Sequence, residues 1–166
     1  MAHIGQSLLD LLHRRCTAAL GTRTADGEVS LSMVPYAIDP TSGDFLLLIS
    51  GLAAHTRQLQ AHPRASLLVC DSEDQTEQVH ALARVSIDVE ATWPTTDSAQ
   101  ALRAAEHYLA RHPKAGLLTQ LPDFRWVSLR PLQARHVAGF GAARTLDRDG
   151  LLDLLTNPIP DQRRWI

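Results

Sequence analysis

The stretch FLLLISGLAAHTRQLQAHPRASLLV, residues 45–69, decides how the chain is read. Phe45 to Ser50 is an unbroken apolar run closed by a hydroxyl, the pattern of a strand covered on both faces. Gly51 interrupts it. Leu52 to Ala61 then reads as a short helix, which His62-Pro63 stops. Ala65 to Cys70 is a second buried strand. A helix opening directly after a strand offers its first backbone N–H groups and the positive end of its dipole to an anion. Ser50 is placed to cap that helix. His55, Thr56 and Arg57 add imidazole, hydroxyl and guanidinium donors within two turns. A phosphate needs several convergent donors and positive charge, and this segment supplies both. An ordinary capped helix with a solvated polar face fits the same residues.

Upstream, Ile4, Leu8, Leu11 and Leu12 give an amphipathic helical segment over residues 4–15. Cys16 to Arg23 reads as a strand, and Asp26-Gly27 as its hairpin turn. Val29, Leu31 and Met33 alternate with Ser30 and Ser32 at strand period. Pro35 cannot donate to a ladder, so it marks an edge, a bulge, or a place where something else lies against the strand. Downstream, Val85, Ile87 and Val89 alternate with Arg84, Ser86, Asp88 and Glu90. Ser98 to Arg111 is a helix, Phe124 to Arg130 and Ala134 to Gly139 are strands parted by Pro131, and Asp147 to Leu155 is a last helix. Residues 156–166 read as an irregular arm. Six or seven strands in consecutive antiparallel runs, with three or four short helices, argue a single domain over residues 1–166. The expected class is mainly β with peripheral helices (α+β), built as a β-barrel and not as a doubly wound parallel sheet.

Composition narrows the functions. The chain has 166 residues, 45% hydrophobic and 20% charged, and a net charge of −2. That balance gives no global attraction to nucleic acid or anionic membranes. No apolar stretch approaches the ~20 residues of a membrane span, and the first residues lack the pattern of a signal peptide. A cytoplasmic protein is expected. Cys16 and Cys70, the only cysteines, lie in apolar runs and read as buried free thiols. No histidine or cysteine spacing suits zinc, so no metal site is expected. Gly139-Phe140-Gly141 reads as a bulge or tight bend.

The string S-x-L-A-x-H-T-x-x-L-x-x-x-P-R-A-S-L, from Ser50 to Leu67, resembles the flavin-binding split barrels related to pyridoxamine 5′-phosphate oxidase. Ser32-Met33-Val34-Pro35-Tyr36-Ala37 is similar to that family's second barrel strand, and Ala83-Arg84-Val85-Ser86 to its long central strand. Leu121-Pro122-Asp123-Phe124 and Val137 to Ala142 resemble the closing strands of its haem-utilisation branch. The resemblance implies a split β-barrel and a homodimer with two cofactor sites at the interface. It implies FMN (flavin mononucleotide) as cofactor, its phosphate facing Ser50, His55, Thr56 and Arg57, its ring beside the backbone of Ser32, Met33, Val34 and Pro35. Many relatives have lysine or arginine where His55 stands, so phosphate affinity is expected to be weaker or pH-dependent.

Haem is the alternative cofactor. Haem-degrading members carry an axial histidine in a C-terminal arm, whereas residues 137–166 hold no histidine. His136 is expected at the barrel rim. Arg84, Arg125 and Arg130 are candidates to reach a ligand from a partner subunit, and Trp126 reads as core. The leading expectation is a flavin-dependent oxidoreductase acting on a small molecule, with no catalytic acid or base assignable. A haem-binding or haem-degrading protein, and a non-catalytic flavin or haem carrier, are the alternatives.

Overall fold

A computed structural model describes residues 2–157. Eight strands form one antiparallel sheet in the order β2-β1-β5-β6-β7-β4-β3, with β8 added beside β7. The strands are β1 (Thr17–Arg23), β2 (Val29–Pro35), β3 (Ala37–Ile38), β4 (Phe45–Ser50), β5 (Arg64–Cys70), β6 (Arg84–Thr92), β7 (Phe124–Val137) and β8 (Ala143–Asp147). The helices are α1 (Ala2–Arg14), α2 (Ala54–Ala61), α3 (Ala99–Arg111) and α4 (Arg148–Thr156). The sheet's two end strands, β2 and β3, are consecutive in the chain and joined through Tyr36. The sheet therefore curls into a half-barrel with peripheral helices, as the sequence led one to expect.

The continuous apolar run of β4 has a simple cause. Phe45, Leu47 and Ile49 enter the main core, while Leu46 and Leu48 lie under α3 with Ala104 and Tyr108. Both faces are covered, so neither is polar. Trp126 joins the second cluster, edge-on to Tyr108 at 5.5 Å. The main core takes Val85, Ile87 and Val89 from β6 and closes against Leu8, Leu11 and Leu12 of α1 and Leu151 of α4.

A latch holds the helices to the joint between the sheet's ends. The Tyr36 hydroxyl donates to the Leu12 carbonyl at 2.8 Å, and its backbone N–H to the Cys16 carbonyl at 3.1 Å. Arg111, at the end of α3, donates to the carbonyls of Leu12, His13 and Arg15 and lies 5.4 Å from the Tyr36 ring centroid. The last carbonyls of a helix have no partners of their own, and a guanidinium satisfies several at once.

Several details differ from the sequence expectations. α2 begins at Ala54, not at Leu52, and its N-cap is Ala53 with no side-chain cap. Ser50 lies outside the helix and does not cap it. Phe124 to Val137 is one strand, not two. Pro131 sits inside it opposite Val89, beside a register shift between Asp88 and Val89 that accommodates the missing N–H. β8 was not foreseen as a strand. Cys16 is exposed and Cys70 half-buried, so neither is a core thiol. His136 is not at the rim but wholly buried. In β2 the alternation left the facing open; the serines face inward and Val29, Leu31 and Met33 are 79%, 73% and 67% exposed. The arm expected at 156–166 lies outside the described residues beyond Asn157. No described helix is long and apolar enough to cross a membrane.

Candidate functional site

The sheet's two ends share no ladder between β2 and β4, and α2 packs against β1 and β2 beside that seam. Side chains of α2 face the inward serines and threonine of these strands. His55 Nδ1 lies 3.1 Å from the Ser32 hydroxyl, and the Thr22 hydroxyl donates to Gln58 Oε1 at 2.6 Å. His55 Nε2 is buried and has no hydrogen-bond partner. Burial lowers the His55 pKa below its ordinary value, which favours a neutral ring. A neutral imidazole oriented through one nitrogen, with the other unspent, is the form in which histidine binds metals or accepts protons.

The turn that leads from β4 into α2 is internally bonded. Gly51 N–H donates to the Asp123 carbonyl at 2.6 Å. A Cβ at residue 51 would stand 3.1 Å from that oxygen, so a side chain there would press on the turn. The Ser50 hydroxyl donates to the Asp123 carboxylate at 2.5 Å and accepts from Leu52 N–H at 3.1 Å. Ala53 N–H donates to the Ser50 carbonyl at 3.2 Å, and the buried Thr56 hydroxyl donates to the same oxygen at 2.5 Å. Arg57 is exposed and turns one guanidinium nitrogen to the Leu52 carbonyl at 2.9 Å.

The residues singled out from sequence thus fall into three places. Ser32 and His55 meet at the seam. Ser50, Thr56 and Arg57 surround the turn, where Ser50 shares its hydroxyl with a carboxylate. Val34 is core, while Met33 and Pro35 point to the open outer face of β2.

That outer face holds what the sequence did not reveal. A groove of about 650 Å³ runs over β2, β1, β5 and β6, with Val29, Leu31 and Leu68 among its apolar lining. Asp88 sits in it with both oxygens engaged, by the Ser66 hydroxyl at 2.9 Å and the Gln133 amide at 2.7 Å. Arg23 and Arg64 lie along its lining. The signal was the outward parity of β1 and β5. Their pairing, Gly21 opposite Ser66, joins distant segments, so the neighbourhood is invisible before the sheet forms.

Residues 4–138 match the pyridoxamine 5′-phosphate oxidase family. The chain belongs to that family. It is 30% identical over 142 residues to Heme oxygenase HutZ of Vibrio cholerae, covering 85% of this chain and 80% of that protein. It is 36% identical over 119 residues to the chloroplastic non-canonical heme oxygenase HOZ of Arabidopsis thaliana, covering 71% of this chain and 34% of that one. The crystal structure of HutZ superposes with a TM-score of 0.71 at 26% identity, over 77% of this chain and 89% of that one. A heme binding protein from Mycobacterium smegmatis superposes at 0.80 with 24% identity, over 90% of this chain. The chain spans about three fifths of that last protein's length, 60%, and about a third of HOZ, 34%. The fold is the family's split barrel.

Proposed function

We propose that this chain is a haem-binding protein of the haem-degrading branch of its family, working as a homodimer. The observation that carries this over the flavin reading is the state of the β4–α2 turn. Its serine and threonine hydroxyls and the N–H groups of Gly51, Leu52 and Ala53 are spent within the chain, and a carboxylate, Asp123, stands among them. A flavin phosphate seated there would meet like charge and would have to displace these bonds. The relationship to two proteins named heme oxygenases supports the same reading.

The residues present fit haem on one count that the structure itself provides. Of the described histidines, His55 and His136 have buried ring nitrogens without partners. His136 is sealed inside the barrel, whereas His55 is partly exposed at the seam, its Nδ1 held by Ser32. His55 is the residue that would supply a neutral imidazole. Bound haem supplies the redox-active iron and the macrocycle on which such enzymes act. The chain's own part is to orient the imidazole, present an apolar face and keep water from it. The exposed Val29, Leu31 and Met33 are the surface a second copy would cover.

Titrating the purified protein with haemin and, separately, with FMN tests the reading. A saturable Soret band with no quenching of flavin fluorescence is expected, and His55→Ala should shift or weaken that band. Tight FMN uptake that Arg57→Ala abolishes would restore the flavin reading in its place.

A further inference from the structure

We propose that the polar cavity under α1, at the far end of β7, binds a small, uncharged, hydroxyl-rich molecule, with His136 as the polar group that its inner end meets. The cavity holds about 420 Å³, within the range of small-molecule sites, and lies where α1, the segment between β5 and β6, and the end of β7 converge. It shares no lining residue with the seam that holds His55, so it stands apart from the haem reading. Ser7 and Arg14 line it from one side of α1, two turns apart, and Asp71 and Gln75 from the segment after β5. Asp71 fixes the arrangement. Its side chain is 9% exposed and takes Arg14 Nη2 on one oxygen at 2.6 Å and the Ser72 N–H on the other at 3.1 Å. Its own N–H donates to the Ala83 carbonyl at 2.8 Å, which ties the segment to β6.

The back wall of the cavity leads to an orphaned group. In the β6–β7 ladder Val85 stands opposite His136, and Arg84 opposite Val137. One position further, on the same inner side as Val85 and His136, come Ala83 and Ala138, and both line the cavity. In that row only two methyl groups separate the cavity from the imidazole. His136 is wholly buried, and neither of its ring nitrogens has a hydrogen-bond partner. Burial lowers its pKa, so the ring is neutral, with one donor and one acceptor. A buried pair of this kind calls for a polar partner. A hydroxyl both donates and accepts, so it serves either nitrogen. Charge sets the rest of the ligand's chemistry. Arg14 and Asp71 are the charged residues of the lining among the described residues, and they neutralise each other. The exposed Glu73, Asp74 and Glu77 on the adjoining segment turn anions away. Among the described residues no group of three histidines, cysteines or carboxylates could hold a metal. The donors that Arg14 does not spend on Asp71, the Ser7 hydroxyl and the Gln75 amide all suit neutral hydroxyls.

The test titrates the nitrogen-15-labelled full chain with glucose and myo-inositol, which are neutral, and with glucuronate and glucosamine, which carry a charge of either sign. Saturable shifts of the Ala83 and Ala138 amides and of the His136 ring nitrogens are expected from the neutral pair, with the charged pair binding more weakly. The Ser7→Ala/Gln75→Ala double variant changes two side chains outside the core, and its unliganded spectrum is expected to match wild type away from the cavity. It should bind the neutral probes about tenfold more weakly. Arg14→Lys keeps a positive charge beside Asp71 but loses the forked donors, and it should weaken binding as well. No saturable shift from either neutral probe overturns the proposal, as does unchanged affinity in the double variant. Tighter binding of glucuronate or glucosamine overturns the class of ligand. Alanine amides that move while the His136 ring nitrogens stay fixed overturn the part given to His136.

Discussion

Two strands of this sheet alternate equally well and point opposite ways. In β6, Val85, Ile87 and Val89 are wholly buried and the charged residues face out. In β2, Val29, Leu31 and Met33 face out, and Ser30 and Ser32 face in. The cause lies in what each strand's inner face meets. β6 is a central strand whose inner face meets the core. β2 is an edge strand, and beside Ser32 stands the polar side of α2, with His55 in hydrogen-bonding contact. Alternation therefore fixes a strand's period but not its sign. The sign is set by the neighbours, and an apolar row turned outward marks a surface awaiting another.

Substitutions on the two rows should part company sharply. Ile87→Ala removes a fully buried side chain and should cost about 2–5 kcal/mol in denaturant unfolding. Leu31→Asp should leave the far-UV spectrum and unfolding midpoint of the isolated chain almost unchanged. It should instead weaken self-association by about 1.5–3 kcal/mol per copy, read by sedimentation. A Leu31→Asp protein that unfolds like the Ile87 variant would erase the distinction between the rows. Thr56→Val deletes the bond to the Ser50 carbonyl and should cost about 1 kcal/mol of stability.

The smallest effect is a slope with pH. Burial lowers the pKa of His136 below its ordinary 6.5, and His13 and His55 shift the same way. As pH falls through about 6.5, the unfolded chain takes up these protons before the folded one does. Stability held by the neutral rings is thus complete above that pH and declines below it, levelling off under the folded values. Urea unfolding from pH 7.5 down to 5.5 should show the decline, and His136→Leu should flatten it.

Much of the architecture was legible in the chain. The two-sided burial of Phe45 to Ile49, the Asp26-Gly27 hairpin and the alternation of β6 are local patterns, and each appears as a local element. The start of α2 was misplaced because Ser50 spends its hydroxyl on Leu52 N–H and on Asp123, which is 73 residues away. No local rule foresees that competition. β7 looked like two strands because Pro131 usually ends one, but a register shift opposite lets it pass. At the candidate site, His55, Ser50, Thr56 and Arg57 were visible as donors. Which of them are already spent depends on tertiary partners, as does the lining of the groove.

Tyr36 stands where the chain crosses from one margin of the sheet to the other, and its hydroxyl and ring are pinned by Leu12 and Arg111. The opening helix thereby governs how firmly β2 is moored. Removing residues 2–14 would strip Arg111 of two of its three carbonyl acceptors and leave the Tyr36 hydroxyl without one. Because α1 also brings Leu8, Leu9, Leu11 and Leu12 into the main core, its loss should destabilise the barrel together with the edge strand that carries Ser32.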